Sequence, residues 1–203
     1  MCADSATVLL GYPNPRKSAV SCVVMAQWDE DMHRRIADAI KSCRDRGDLS
    51  AQQLADRTAE LGYPLSRSQI ANYESGRKKN LDVAELIVLA AALNTSPVCL
   101  VYPGPYQDAV ELLPNQERGK YHAAQWFSGE DYPLPDGDGY SSWEVQTGEL
   151  RSWRRLQQLR AARARAEYDF LFRGDHDGAR DIGMSFESAI LSLERELGIS
   201  GDA

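Results

Sequence analysis

Leu49-Ser50-Ala51-Gln52-Gln53-Leu54-Ala55 and Ser66-Arg67-Ser68-Gln69-Ile70-Ala71-Asn72-Tyr73-Glu74-Ser75-Gly76-Arg77 decide how this chain is read. Ser50 and Gln53 have capping-box spacing: the hydroxyl satisfies a free amide of the first helical turn, and the Gln side chain reaches back to the cap amide. The helix opened there puts Leu54, Ala55, Thr58 and Leu61 on one face and stops at Gly62-Tyr63-Pro64. Ser66 is a good N-cap for a short following helix through Glu74, closed by Gly76.

Working outward, Met32, Ile36, Ile40 and Cys43 repeat at helical spacing before this pair, with Gly47 as the expected stop. After it, Asp82 and Glu85 form a second capping box ahead of an apolar helix with Val83, Leu86, Ile87, Leu89, Ala90 and Leu93. Ser96-Pro97 opens a fifth short helix over 98–102, and Pro103-Gly104-Pro105 ends the unit. The expectation is an all-α domain over 28–104. Two helices joined by a turn, the second short and followed by Arg77, Lys78 and Lys79, have the helix-turn-helix layout.

The flanks read differently. Residues 1–27 show no period and are expected to be a disordered arm, with Met25 as a second candidate start. Residues 105–149, rich in Pro and Gly, read as an irregular connector. Beyond it, Leu150, Trp153, Leu156, Leu159 and Ala162 form one expected helical stripe, and Phe186, Ile190, Leu193 and Leu197 another, making a smaller helical C-terminal domain within 105–203.

The 203 residues carry a net charge of −7, unevenly spread. Residues 29–103 are nearly balanced at −1; 104–149 sum to −7, 150–173 to +5 and 174–203 to −5. An acidic body with two basic features is compatible with DNA binding, because local charge meets phosphates. No apolar run approaches the roughly 20 residues of a membrane span, and residues 19–26 are short for a signal-peptide core. Cys2, Cys22, Cys43 and Cys99 lie far apart without a C-x-x-C, as expected of a cytoplasmic protein without a zinc site. His33, His122 and His176 are scattered, and no H-E-x-x-H, G-x-S-x-G or P-loop occurs. The expectation is therefore no catalytic residue, no metal, no cofactor, no small-molecule substrate and no membrane partner.

Leu49-Ser50-x-x-x-Leu54-Ala55, the stretch Ser66–Arg77 and Leu86-x-x-Leu89-Ala90-x-x-Leu93-x-x-x-Pro97 together resemble the Cro/cI-type (XRE) helix-turn-helix family. Residues 58–65 make a longer turn than compact lambda-type members have, a variant similar to actinobacterial and actinophage proteins. Ala123-Ala124-Gln125-Trp126-Phe127-Ser128-Gly129-Glu130 resembles a stretch of actinobacteriophage (mycobacteriophage) immunity repressors. The resemblance implies a five-helix lambda-repressor-like domain and a sequence-specific repressor of double-stranded operator DNA that maintains lysogeny. The alternatives are a host regulator, such as an antitoxin-like autorepressor, or a protein-interaction adaptor that no longer binds DNA. Phage repressors often carry a self-cleaving domain with a serine–lysine pair and an Ala-Gly or Cys-Gly scissile bond; neither dipeptide occurs here and Lys120 is the only lysine beyond Lys79, so self-cleavage is not expected.

Within that frame the second helix of the pair enters the major groove by its N-terminal end. With Ile70 inward, Ser68, Asn72 and Ser75 lie opposite, and Arg67 and Gln69 flank. Arg67, Ser68, Gln69 and Asn72 are the implied base readers: Arg suits guanine O6/N7, Gln or Asn adenine N6/N7. Ser50, Gln52, Gln53, Ser75, Arg77, Lys78 and Lys79 are the implied phosphate contacts. By analogy with the family, Glu74 on the inner face pairs with Arg44 as a structural element. Two readings stand for Arg151, Arg154, Arg155, Arg160, Arg163 and Arg165: a charged surface balancing acidic flanks, or a second DNA contact. The last helix is a candidate for self-association.

Overall fold

The computed structural model describes residues 15–78, 80–132, 139–173 and 176–199; for 15–26, 173 and 176–184 it describes the backbone alone. The elements are α1 (Pro15–Arg46), α2 (Ala51–Glu60), α3 (Arg67–Glu74), α4 (Val83–Ala92), α5 (Pro97–Val101), β1 (Ala109–Leu113), β2 (Gln116–Gly119), α6 (Lys120–Phe127), α7 (Tyr140–Arg173) and α8 (His176–Glu196). They form two compact units, divided between Phe127 and Ser128. No described helix is long and apolar enough to cross a membrane.

The first unit closes around one core. Ile36 and Ile40 of α1, Leu54 of α2, Ile70 and Tyr73 of α3, Leu89 and Ala90 of α4, and Leu100 of α5 are all buried together. Met32 and Cys43 complete the expected α1 stripe, partly buried against that cluster. Both expected capping boxes form, Ser50 with Gln53 and Asp82 with Glu85, and Ser66, expected only as an N-cap, forms a third with Gln69. Ser96 takes the cap position of α5 with extended backbone but makes no side-chain cap bond; Pro97 alone starts that helix.

Several expectations change. α1 begins at Pro15, so 15–27, expected as a disordered arm, are helical, and only 1–14 lie outside the described residues. Proline suits a first helical turn, whose amides are unpaired anyway. The left-handed residue after α1 is Asp48 (φ 50°), not Gly47. Leu61, the residue just after α2, is 53% exposed; Leu65, in the following turn, fills the core instead. Thr58 makes that exchange possible. Its buried hydroxyl donates to the Ala55 carbonyl at 2.7 Å and accepts from the Leu65 amide at 3.0 Å, drawing the long turn inward.

The stretch 105–149 is not wholly irregular, and the chain is not purely α. Val110 and Leu112 alternate inward on β1, which pairs antiparallel with β2 through a turn at Asn115 (φ 64°). The hairpin and α6 belong to the first unit: Trp28 Nε1 of α1 donates to the Glu111 carbonyl at 3.2 Å, and Ala123 enters the core. The unit therefore continues past residue 104.

The second unit is built on α7 and α8, which pack along each other with Leu156, Leu159 and Ile190 buried between them. Ser152 bonds Glu196 at 3.0 Å, and Arg160 bonds Glu194 at 2.7 Å. The expected single stripe on α7 divides: Leu156 and Leu159 face α8, whereas Leu150 (48%) and Trp153 (38%) are exposed. The reason is arithmetic. Steps of three residues walk about 60° around a helix each time, so Leu150 and Leu159 point to opposite sides.

Candidate nucleic-acid interface

α3 carries the candidate reading surface. Ile70 and Tyr73 are buried, and Arg67 and Ser68 are exposed, with Gln69 and Asn72 half-buried beside them. A helix this short has little stability of its own, so its orientation comes from what holds it. Capping fixes one end and two ion pairs the other.

At the N-terminus, Ser66 Oγ accepts from the Gln69 amide at 3.2 Å. Gln69 Oε1 accepts from the Ser66 amide and from Ser66 Oγ, both at 2.9 Å. Gln69 thus faces outward as a donor through Nε2, its oxygen already engaged. Ser68 Oγ lies 3.0 Å from Ser66 Oγ. Arg67 makes no hydrogen bond or ion pair among the described residues, so its fork is available.

At the C-terminus, neighbouring residues are gripped from two sides. Glu74 takes a two-point contact from Arg44, Nε to Oε1 at 2.6 Å and Nη2 to Oε2 at 2.9 Å. Arg44 Nη1 also donates to the Leu49 carbonyl at 2.7 Å, so one guanidinium joins the end of α1, the loop before α2 and the end of α3. The hydrogen bonds to Glu74 raise the Arg44 pKa above its ordinary value.

Tyr73 points the other way. Its hydroxyl donates to Glu85 of α4, which also accepts from Lys78 Nζ at 2.7 and 2.9 Å and from the Asp82 amide at 3.2 Å. Lys78 Nζ donates to the Tyr73 hydroxyl as well and lies 4.4 Å from the ring centroid. Burial pushes the Glu85 pKa up, but the bonds from Lys78, Tyr73 and the Asp82 amide outweigh it and leave the carboxyl below its usual value. Burial and the Glu85 bond push the Tyr73 phenol up to about 12. The bonds to Glu85 and Tyr73 raise the Lys78 pKa.

This cluster is what the sequence reading missed. Lys78 was expected at a phosphate, yet its ammonium is held by Glu85. A phosphate would have to compete with a nearly buried carboxylate that needs this cation. The signal was present: Glu85 is the third residue of α4, closes its capping box, faces the core side, and has a lysine within loop reach. Lys79 lies outside the described residues.

The other expected phosphate contacts surround α3 and the start of α2. Arg77 is exposed and makes no hydrogen bond or ion pair among the described residues. Ser75 Oγ donates to the Asn72 carbonyl at 3.3 Å. Ser50 Oγ caps the Gln53 amide at 3.2 Å, and Gln53 Oε1 accepts from the Ser50 amide at 2.8 Å, which leaves Gln53 Nε2 as a donor. Gln52 Nε2 is bonded to Asp56 at 2.8 Å, a carboxylate that disfavours a phosphate beside it.

The arginines of α7 are mostly engaged within the second unit. Arg154 pairs with Glu130 at 3.0 Å, Arg160 with Glu194 at 2.7 Å and Arg163 with Glu167 at 2.8 Å; Arg151 lies over the Trp143 ring at 5.3 Å. Arg155 and Arg165 alone of the six are exposed with no hydrogen bond or ion pair among the described residues. This geometry favours the charge-balancing reading of the stripe over a second DNA contact.

No curated protein and no solved structure matches the chain. A helix-turn-helix family model, of the XRE type, matches residues 40–98, from the last quarter of α1 into α5. That segment holds the whole α2–turn–α3 arrangement, and the first unit thereby carries a helix-turn-helix of the kind found in DNA-binding regulators.

Proposed function

We propose that this protein is a sequence-specific repressor of double-stranded operator DNA, of the kind that maintains phage lysogeny and superinfection immunity. The observation that carries the DNA-reading part is the outer face of α3. Ser68 and Asn72 stand on the side of the helix away from Ile70, exposed Arg67 and half-buried Gln69 flank them at its N-terminal end, and Ile70 and Tyr73 lock the helix into the core. Donors fixed on a rigid helix suit base edges in the major groove, and Arg77 and Gln53 offer further donors for the flanking backbone. The helix N-terminus adds a partial positive charge on the DNA side. Repression acts by occupancy, without catalysis or a cofactor. The phage assignment is supported by the resemblance of residues 123–130 and of the long α2–α3 turn.

Selection of bound sites from a random duplex pool tests the DNA reading. Enrichment of one motif whose binding weakens with salt is the expected result. A pool that stays random after repeated rounds would overturn it and leave the adaptor reading. The neighbourhood of the coding sequence tests the phage assignment, which predicts integrase and lysis functions nearby.

A further inference from the structure

We propose that the groove lined by α1 and α5 is a binding site for a small organic carboxylate, whose anionic group docks on the Arg35 guanidinium. This inference does not depend on DNA recognition.

The groove lies wholly within the first unit and has a volume of about 720 Å³, a size typical of small-molecule sites. Its α1 side follows from helical spacing. Asp31, Arg35, Asp38, Ser42 and Arg46 fall within an arc of about 80° at 100° per residue. Cys99 of α5, with Pro103 and Tyr106 beyond it, supplies apolar lining. The Tyr106 hydroxyl donates to Cys99 Sγ at 3.7 Å, which ties those two side chains together.

Arg35 is a positioned cation with no bonded anion. Its Nε donates to the Val101 carbonyl at 2.9 Å, and its Cζ lies 5.4 Å from the centroid of the buried Tyr102 ring. Nη1 and Nη2 make no hydrogen bond or ion pair among the described residues, and both keep accessible surface. They are the edge that takes a carboxylate by two parallel bonds. Burial lowers the Arg35 pKa in spite of the opposing charges of Tyr102 and Asp31, so this guanidinium has lost water without gaining a bonded counter-ion.

The neighbouring charges select the ligand class. Asp31 pairs with Arg34 at 3.4 Å. Arg46 donates to Ser42 Oγ at 2.9 Å and to Cys43 Sγ at 3.0 Å. It also lies about 16 Å along α1 from Arg35, too far for one carboxylate to touch both. Asp38 is exposed, makes no hydrogen bond or ion pair among the described residues, and stands one turn from Arg35. Its charge opposes a phosphate dianion more than a single carboxylate. Cys99, Pro103 and Tyr106 suit a compact apolar body on that carboxylate.

Benzoate is the probe, followed by NMR of the full chain at constant ionic strength. The Arg35 Nε–H signal and the Val101 and Tyr102 amides are expected to shift saturably, with half-saturation at about 1–10 mM, as suits so small a ligand. Benzamide, the neutral analogue, should leave them in place. Arg35→Gln should weaken benzoate at least about tenfold by removing the charged fork. That variant also weakens the hold on Val101, so Asp38→Asn is the second: removing one repelling charge should tighten benzoate about threefold with the fold intact. Shifts that never saturate, or that benzamide reproduces, would overturn the proposal. So would an affinity unchanged in Asp38→Asn or in a folded Arg35→Gln. Inorganic phosphate that displaces benzoate at a lower concentration than benzoate itself needs would overturn the carboxylate assignment.

Discussion

Lys78 Nζ lies 2.7 Å from Oε1 and 2.9 Å from Oε2 of Glu85, and this pair closes the first turn of α4 onto the end of α3 through the Tyr73 hydroxyl. Glu85 is 7% exposed, so its charge depends on these partners. Lys78→Ala is expected to lower stability by about 2–3 kcal/mol, after allowance for a lysine one-third exposed, by leaving that carboxylate short of a cation. The salt dependence of DNA binding should hardly change. Chemical denaturation and a salt titration on the same duplex separate the two effects. A stable variant with a flatter salt slope would return Lys78 to the phosphates.

The cluster also fixes a pH dependence. The Glu85 pKa is lowered in the fold, so its contribution is present above the unfolded carboxyl pKa of about 4.3 and is lost as pH falls through the folded value. Tyr73 is raised to about 12, so its contribution is complete below about pH 10 and is lost as pH rises from there towards 12. Denaturation midpoints should fall at both extremes. Glu85→Gln should flatten the acid limb, and Tyr73→Phe the alkaline one. Limbs of unchanged shape in both variants would place the titrating groups elsewhere.

Arg44 and Glu74 are 14% and 11% exposed at the side chain. Arg44→Ala strands the carboxylate and frees the Leu49 carbonyl, and is expected to cost about 3 kcal/mol of unfolding free energy. Arg44→Lys should recover only part, because an ammonium cannot reproduce the two-point fork. A melting temperature equal to wild type in Arg44→Ala would mean that solvent replaces the pair at no cost.

Gln69 offers a test that separates folding from recognition. Glutamate at this position can still accept from the Ser66 amide, so Gln69→Glu should leave the domain as stable as wild type. It removes the outward Nε2 donor and places a negative charge towards DNA. Affinity for the selected site should fall by at least the 1–3 kcal/mol of a lost base contact, roughly 5- to 150-fold. Equal loss on random duplexes would assign Gln69 to the backbone.

Arg77→Ala should weaken binding to all duplexes alike and reduce the slope of log K against log salt by about 0.9. The expectation rests on a cation with no ion pair among the described residues. Loss confined to the selected motif would indicate base reading, and no loss at all would place Arg77 off the interface.

Much of the first unit was legible in local sequence. Serine and aspartate caps with Gln or Glu three residues on announce helix starts because that pairing satisfies two amides within one turn. The positions of α2, α3 and α4 follow directly, as does the set Ser68, Asn72 and Ser75 opposite Ile70 once Ile70 is taken as inward. The hairpin at 109–119 was readable from the alternation of Val110 and Leu112 before Asn115, but its acidic surroundings hid it. Other features belong to the tertiary structure alone. Which of Leu61 and Leu65 is buried depends on a Thr58 hydroxyl that bends a turn inward. Whether Lys78 meets a phosphate or Glu85 depends on how closely α4 approaches α3. Leu150 and Leu159 belong to one stripe only if a 60° drift at each step of three is allowed, and packing against α8 does not allow it. Short-range hydrogen-bond chemistry is written in residues three or four apart; the partner of a charge or the buried side of a long helix is set by distant segments meeting.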